Sequence, residues 1–475
     1  MSLKQFITDF QNIGQQEFLR PNVGYRYFFD VQKAEVYPAK QSIVLKYVLK
    51  EIPAKKVSKG LLDDSEILVD IGNIERRFNN LINLEEVDEI GSDKTILQNG
   101  DIVIPKMQPQ MGNIFLNLEH KRYIGSTELL EYSISKSYSP LFLYYLITSK
   151  KFLFDLANLE SGKTHRRVNP TDLLKIKIPL IPKSIQDQIV AQIEPIERKI
   201  KELKNKITPP QEIINKVFAR EFKFDENLYN EFGKGMTAGT QSAQNRTLRT
   251  FETDFSELSR SNILRFSTRF HNMPTKKLMD FLDSIETVQV NDVITEPIHR
   301  GASPKYNPDG EIPVVKTGHL KNGYIGISQE EFVEQDFYSS SVRSQIKKSD
   351  ILIASTGKVS LGKIDLVETE QELVADGHIS IIRIDKTKYN SVFFVYFFRS
   401  ILGYFQIERD FTGATNQIDL YVNEVSNFQI LDIPLNAQQK IVDEIKAELD
   451  KQEEMKQKIE TERAKIDEII EKAIA

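Results

Sequence analysis

One order of signals runs through this chain twice, the copies lying about 250 positions apart. The first copy carries Ser161, Gly162, Lys163 and Thr164, then Ile178, Pro179 and Leu180, then Ile189 and Val190. The second carries Thr412, Gly413, Ala414 and Thr415, then Ile433, Pro434 and Leu435, then Ile441 and Val442. Upstream, Asp101, Ile102, Val103 and Ile104 are echoed by Asp350, Ile351, Leu352 and Ile353, and Gly112 by Gly362. The spacing drifts only by small insertions, as in a diverged tandem duplication. A repeat this long means two whole domains rather than a solenoid, and two like domains on one chain suggest pseudo-two-fold symmetry. Such a chain suits a target that itself has two halves.

The 475 residues suffice for about three domains, or for two domains with substantial helical connectors, each half large enough to bury a core. There is no cysteine, which excludes a disulfide framework, a thiolate metal site and thiol catalysis. The first ten residues lack a basic segment followed by an apolar run, and the most apolar stretch, Val392 to Phe398, is too short to span a bilayer. Both observations point to a cytoplasmic protein with no membrane partner. The net charge of −5 argues mildly against a free-standing nucleic-acid binder, because phosphate contacts need a basic surface. Basic clusters nevertheless stand in loop-like contexts: Lys55 and Lys56, Arg76 and Arg77, His165 to Arg167, His299 and Arg300, Lys347 and Lys348. Taken singly each reads as solvated surface charge; their value is collective.

Each copy opens with β-leaning sequence, Ile67 to Gly72 and then Asp101 to Pro105 in the first, Pro313 to Gly318 and then Asp350 to Ala354 in the second. Aromatic helical patterns follow, Pro140 to Leu156 and Ser391 to Glu408, whose Phe and Tyr side chains read as core rather than as base-stacking platforms. Each copy is thus an α+β globule. Each ends in Ile-Pro-Leu and then a helix. Ser184 and Asp187 make a capping-box pattern for the first helix. Its apolar positions Ile189, Ile193, Ile196, Ile200, Leu203 and Ile207 form a heptad seam, which needs a partner helix to cover it. Pro195 should kink or restart this helix, and Pro209 and Pro210 stop it before a further helical piece. The second helix, from Ala437, carries Ile441, Ile445, Leu449, Met455, Ile459, Ile466 and Ile469. At roughly 1.5 Å per residue the two helical paths are about 58 and 55 Å, so an intramolecular coiled coil holding the globules apart is the simplest arrangement. The chain divides accordingly into a first globule (1–182), a first spacer (183–222), a linker (223–259) that includes the low-complexity run Gly233 to Asn245, a second globule (260–436) and a second spacer (437–475).

A module that ends Thr412, Gly413, Ala414, Thr415, Asn416, Gln417, Ile418, reaches Ile433, Pro434 and Leu435, continues through Gln438, Gln439, Ile441 and Val442 into a charged helix, and occurs twice, resembles the specificity subunit of type I restriction-modification enzymes. The resemblance covers nearly the whole chain. It implies a fold of two similar α+β target recognition domains, joined and separated by long helices that form an antiparallel coiled-coil spacer with pseudo-two-fold symmetry. Each domain would read one half of an interrupted double-stranded DNA site. Methyltransferase subunits, two of them, would dock through the helices, and restriction or translocase subunits would join the assembly. The first copy departs from the pattern where His165, Arg166 and Arg167 stand in place of Asn416, Gln417 and Ile418, and where Pro195 interrupts the helix.

Base edges are read by Arg, Lys, Asn, Gln, Ser and Thr side chains, while phosphate contacts position the protein. With that implied role, the candidate DNA-contacting residues of the first globule are Asn73, Arg76, Arg77, Lys106, Gln108, Gln110, Lys163, Thr164, His165, Arg166 and Arg167. Those of the second are His299, Arg300, Lys305, Tyr306, Lys316, His319, Lys358, Ser360, Lys363, Asn416 and Gln417. For any one of them, a solvated loop residue is the plain alternative.

Catalytic groups are missing from the sequence. Gly357, Gly362 and Lys363 have the spacing of a phosphate loop, but Ile364 stands where Ser or Thr would bind magnesium, and the residues after it read as strand rather than helix. No dinucleotide fingerprint, nucleophile elbow or metal-spaced histidine pair occurs, so neither a cofactor nor a metal is expected. Methylation and ATP-dependent cleavage would then belong to partner chains. Three other readings stay open: the same architecture serving a different restriction or methylation assembly, a coiled-coil scaffold that binds proteins and no DNA, and, weakest of the three, a phosphate-loop enzyme built around Lys363.

Overall fold

The computed structural model describes residues 23–37, 41–162, 166–224, 267–271, 273–327, 331–414 and 417–474. The N-terminal ten residues and the Gly233–Asn245 run lie outside them. The chain forms two compact units, the first drawn mainly from residues up to Lys206 and from Met455 onward, the second from Ile207 to Glu454. Helices α1 (Pro140–Ile147), α2 (Lys150–Leu156) and α3 (Lys183–Lys204) belong to the first unit. Helices α4 (Pro210–Phe222), α5 (Ser391–Arg399) and α6 (Ile401–Asp410) belong to the second. The long α7 (Leu435–Ile474) gives its residues before Met455 to the second unit and the rest to the first.

Strand by strand the two units follow one plan. In the first, a four-stranded antiparallel sheet is ordered Leu49–Glu51, Leu129–Ile134, Ile102–Pro105, Phe115–Leu116. The second matches it with His299–Arg300, Ile379–Ile382, Ile351–Ala354, Ile364–Leu366. A second sheet in each unit contains a parallel pair, Gly60–Val69 with Tyr123–Ser126 in the first and Ile312–Val315 with Leu373–Ala375 in the second. The first unit adds an outer strand, Lys55–Val57, and lengthens the opposite edge, Glu85–Ile90. The run Ile351–Ala354 is apolar throughout because both of its faces are covered. Ile351 and Ile353 pack into a core with Phe393 and Phe397 of α5, while Leu352 and Ala354 pack with Val315 and Leu373 of the other sheet. This is the period of two that a strand imposes.

The aromatic helices are core elements, as expected. Phe142, Tyr144, Phe393, Phe394 and Phe397 are fully buried, and the Phe218 ring of α4 lies tilted 5.8 Å from Phe393 and edge-on 6.0 Å from Phe397. Each expected long aromatic helix is in fact two helices. Ser149 caps α2 by accepting a hydrogen bond from the Phe152 N–H at 3.3 Å, and Ser400 ends α5 in an extended conformation. A serine hydroxyl competes with the helical ladder, so both breaks fall at serine.

At the start of α3 and of α7 the duplication extends to single atoms. The fully buried Gln186 accepts from the Ser139 N–H at 2.7 Å and donates to the Ser137 and Ile181 carbonyls. Gln438 accepts from the Asn390 N–H at 2.8 Å and donates to the Lys388 and Ile433 carbonyls. The Tyr138 and Tyr389 hydroxyls donate to the Pro179 and Leu431 carbonyls at 2.6 and 2.8 Å.

Within each unit α7 runs antiparallel to its neighbour. In the first, Lys199 of α3 pairs with Glu462 at 2.7 Å, and Lys204, further along α3, feels Glu460, earlier on α7. In the second, the Thr208 N–H donates to Gln452 at 2.9 Å and Arg220 to Glu444 at 2.6 Å. Three expectations about these helices are corrected. The Ser184 capping box does not form, because α3 begins at Lys183 with Pro182 as its cap residue. Pro195 does not restart the helix, which runs on to Lys204, so the buried seam of Ile189, Ile193 and Ile200 outweighs the one lost hydrogen bond. Near the end of α7 the fully buried residues are Ile466 and Ile470, with Ile469 only partly covered.

Candidate nucleic-acid interface

In the first unit the strand Ile102–Pro105 ends in a loop, 106–112, that lies against the hairpin Glu160–Ser161/Arg167–Val168. The Val168 N–H donates to the Lys106 carbonyl at 2.9 Å, the Gln108 N–H donates to the Arg166 carbonyl at 3.1 Å, and Met107 bridges to Arg167. The backbone of the loop is thereby satisfied, which leaves the side chains of Gln108 and Arg166 exposed on a fixed support. Gln108 itself adopts a left-handed conformation with φ of 48°. The loop closes at Gly112, φ 77°, where a β-carbon would stand 2.7 Å from Arg77 Cγ, so only glycine fits. The hairpin is clamped by Glu128, which accepts from Arg167 Nε and Nη2 at 3.0 Å each.

The second unit repeats the arrangement. Strand Ile351–Ala354 leads into loop 355–363, which lies against the hairpin Thr412–Ala414/Gln417–Asp419. The Leu420 N–H donates to the Ser355 carbonyl at 2.8 Å, the Gly357 N–H donates to the Ile418 carbonyl at 3.3 Å, and Thr356 bridges to Asp419. Gly362 closes the loop with φ of 76°. Here the clamp is Arg300, which donates to the Asp419 carboxylate and, at 2.8 Å, to the Leu420 carbonyl. The loop presents Lys358 and an exposed Val359. Burial, with Lys321 nearby, lowers Lys363 from the ordinary lysine value.

The sequence pattern described as the type I restriction modification DNA specificity domain matches two segments, 55–209 and 283–462, and each contains one of these loop and hairpin pairs. The chain belongs to the type I restriction-modification DNA specificity family. Among solved structures, one described as the structural basis of complex assembly and conformational transition of the type I R-M system is similar at 15% identity, covering 92% of this chain and 98% of its own, with a TM-score of 0.41. The HsdS subunit from Thermoanaerobacter tengcongensis is similar at 15% identity, 91% and 96% coverage and a TM-score of 0.31. The S subunit of a type I system from M. genitalium is similar at 12% identity, 92% and 96% coverage and a TM-score of 0.35. No curated protein sequence matches.

The specificity domains bring some of the expected residues together and put others to different use. Lys106, Gln108, Arg166 and Arg167 lie on the paired loop and hairpin of the first domain, with Gln110 in the same loop and its amide oxygen buried; Lys358, Ser360 and Lys363 share the equivalent loop of the second, whose hairpin Arg300 reaches from the edge strand. Arg76 is exposed in the first domain. Two expected contacts belong to the fold instead. Asn73 accepts from the Asp70 N–H at 2.8 Å and donates to the Ile82 and Asn83 carbonyls, fixing a turn. Arg77 donates to the Thr148 carbonyl at 3.0 Å and pairs with Asp467 of α7 at 2.6 Å. Lys305, Tyr306, Lys316 and His319 come from the segment beside the second sheet, and Tyr306 reaches Asp376, on the turn whose His378 carbonyl accepts from the Ser355 N–H at the start of the loop. Lys316 Nζ sits 4.1 Å above the Tyr306 ring and 2.7 Å from Glu331, and Tyr306 donates to Asp376 at 2.8 Å. Burial lowers His319 from its ordinary value, against the Glu331 carboxylate 3.8 Å away. His299 stands beside Arg300, its Nδ1 3.2 Å from the Pro297 carbonyl oxygen. Lys163, Thr164, His165 and Asn416 lie outside the described residues, as does the side chain of Gln417.

Sequence reasoning missed the clamps Glu128 and Asp419. Each is an isolated acid in a loop or strand end, and only the register of the hairpins shows that it faces an arginine. The phosphate-loop spacing around Lys363 leads into the strand Ile364–Leu366, so no helix N-terminus faces it. Among the described residues no helix is long and apolar enough to cross a membrane.

Proposed function

We propose that this chain is the DNA-recognition subunit of a type I restriction-modification assembly, reading one half of an interrupted double-stranded site with each specificity domain. The observation that carries the reading is the repeated loop and hairpin support: equal backbone ties and glycine closures, but different side chains on top. A scaffold that repeats while its exposed residues diverge is what independent reading of two half-sites requires. On the first domain Lys106, Gln108, Gln110 and Arg166 are the contacts proposed; on the second they are Lys358, Ser360 and Lys363. Arg167 and Arg300, already held by carboxylates, orient the hairpins and offer their remaining donors to phosphate.

Methylation and cleavage belong to partner chains in this reading, with methyltransferase subunits docked on the paired helices and restriction subunits joining them, in the cytoplasm where the DNA is. The paired helices act as the ruler between half-sites. The half-sites would lie about one helical turn apart, or 34 Å, a span within reach of helices of this length.

The test is a base-resolution methylation map of DNA from cells expressing the chain with its methyltransferase partner, compared with cells lacking the chain. A two-part motif with a fixed gap, present only with the chain, is expected. Unchanged methylation with a competent partner would overturn the reading in favour of a protein scaffold. Four residues inserted after Leu203 should lengthen the helix by about 6 Å and move the gap by one or two base pairs. A gap that stayed fixed would remove the helices from the role of ruler.

A further inference from the structure

The basic pair Lys55 and Lys56 has no place in the surface described so far, yet strand register brings it alongside. In the four-stranded sheet Tyr132 lies opposite Glu51 on one side and Ile102 on the other, so Leu49–Glu51 and Ile102–Pro105 run in the same direction. The Ile52 N–H then donates to the Glu131 carbonyl at 2.9 Å, carrying the pairing past Glu51. The chain therefore leaves the sheet heading toward the end at which Lys106 opens the loop, from an edge strand two strand spacings, or about 10 Å, to the side of Ile102–Pro105. It goes on to form Lys55–Val57, the outer strand of the five-stranded sheet. Lys55, Lys56 and Lys59 are exposed, and among the described residues none of them pairs with a carboxylate. Several other cations of the same domain do pair: Lys94 with Asp70, Arg122 with Glu66, Arg167 with Glu128 and Lys204 with Glu75.

Lysines on an edge strand also guard against edge-to-edge pairing, and that role alone would place no demand on sign. The same sheet answers that point. Its opposite edge, Glu85–Ile90, carries Glu85, Glu86, Asp88 and Glu89, all exposed. Either sign would guard an edge, but here the positive edge is the one whose chain arrives directly from the sheet that carries the loop. The turn before Gly60 is also fixed, since the Lys59 N–H donates to Asp93 at 3.1 Å.

We propose that Lys55, Lys56 and Lys59 form a phosphate-binding strip that holds the DNA backbone flanking the half-site read by the first domain. The proposal rests on the DNA-recognition reading above and deepens it. The strip positions the duplex and carries no sequence information, because phosphates are alike in every sequence.

The experiment compares the full chain, assembled with its methyltransferase partner, with the Lys55→Ala/Lys56→Ala/Lys59→Ala variant and with the corresponding triple Lys→Arg variant. Binding is measured from low to physiological salt, on one duplex carrying the mapped motif and one with that motif scrambled. Each phosphate contact contributes about 0.9 to the slope of log affinity against log salt, so the alanine variant should lose about 2 to 3 from that slope. Its affinity for both duplexes should fall by the same factor, and the arginine variant should keep the wild-type slope. An unchanged slope, or a loss confined to the motif duplex, overturns the strip while leaving the recognition reading in place. If the wild-type assembly itself binds neither duplex, the recognition reading fails and the strip with it.

Discussion

Where α1 ends in the first unit, the Thr148 carbonyl accepts from Arg77 Nε at 3.0 Å and from Arg463 at 3.4 Å, and the Lys150 N–H donates to Asp467 at 3.3 Å. Where α5 ends in the second unit, the Arg399 carbonyl accepts from Gln211 Nε2, and the Ile401 N–H donates to Asn215 Oδ1 at 2.9 Å. The backbone groups are equivalent and the side chains come from a helix at the same spacing, Arg463 and Asp467 in one case, Gln211 and Asn215 in the other. One joint is therefore built from charges and the other from neutral amides. Arg463 is 1% exposed and Asp467 6%, so the ionic version removes charge from water and holds only if its members stay together. The amide version does the same capping work with no charge to desolvate. The two joints should consequently fail in different ways.

The largest effect is expected for Asp467→Ala. It leaves the buried guanidinium of Arg463 and the half-buried one of Arg77 without their shared carboxylate, and breaking a buried charge pair of this kind costs about 3 to 5 kcal/mol. Denaturant unfolding, with hydrogen exchange read at the α1 and α2 amides, checks both the size and the place. A loss confined to the second unit, or one below about 1 kcal/mol, would mean that the charges are solvated and that the comparison of joints is mistaken.

Gln186→Ala and Gln438→Ala come next, and here the units should behave alike. Each substitution removes three hydrogen bonds made by a fully buried glutamine, leaving one backbone N–H and two part-buried carbonyls without it and costing roughly 1 to 3 kcal/mol. Equal losses from the two variants in thermal unfolding would confirm that this contact was duplicated with its energetics. A clear inequality would show that the repeat has drifted in strength while keeping its geometry.

Asn215→Ala tests the neutral joint and should cost about 1 kcal/mol, well below Asp467→Ala, because only one uncharged hydrogen bond to the Ile401 amide and a weak contact to Gln211 disappear. The ratio of the two losses is the quantity of interest. A ratio near one would erase the distinction between the ionic and the amide joint.

Much of this architecture is legible in the sequence, for reasons that differ from element to element. Ile351 to Ala354 reads as a doubly covered strand because four consecutive apolar residues admit few other environments. The aromatic helices and the spacer seam follow from residue period alone, and Gly112 and Gly362 mark turns because a left-handed φ favours glycine. Lys106 to Gln110 and the residues near Arg167 could each be chosen as loop candidates, but that they meet depends on hairpin register, which side-chain type does not encode. Arg77 illustrates the limit most plainly. Its neighbour Arg76 has the same local context and is exposed, while Arg77 pairs with Asp467, which lies far along the chain. Nothing within a local window separates the two. The Ser184 capping box misleads for a related reason: the pattern is present, but Pro182 and a helix start at Lys183 leave it one position too far in.

The smallest expected effect concerns Glu197, on α3 beside the ionic joint. Burial pushes its carboxyl above the usual glutamate range, with Arg463 and Lys204 opposing the shift. Because the folded value is raised, the unfolded chain gives up this proton first as pH rises. The folded state then binds more protons through that interval, so stability falls as pH climbs from the ordinary glutamate value, about 4.3, through the raised one. Glu197→Gln removes that penalty. The variant should unfold at a slightly higher temperature than wild type at pH 7, and the advantage should vanish near pH 4, where the wild-type carboxyl is protonated in both states. The opposite result, a variant weaker at pH 7 with a gap that closes on acidification, would mean that the Glu197 charge stabilises Arg463 by more than its own burial costs. The ionic joint would then extend from Asp467 to a second acid, and Asp467→Ala should prove milder than a joint with a single acid allows.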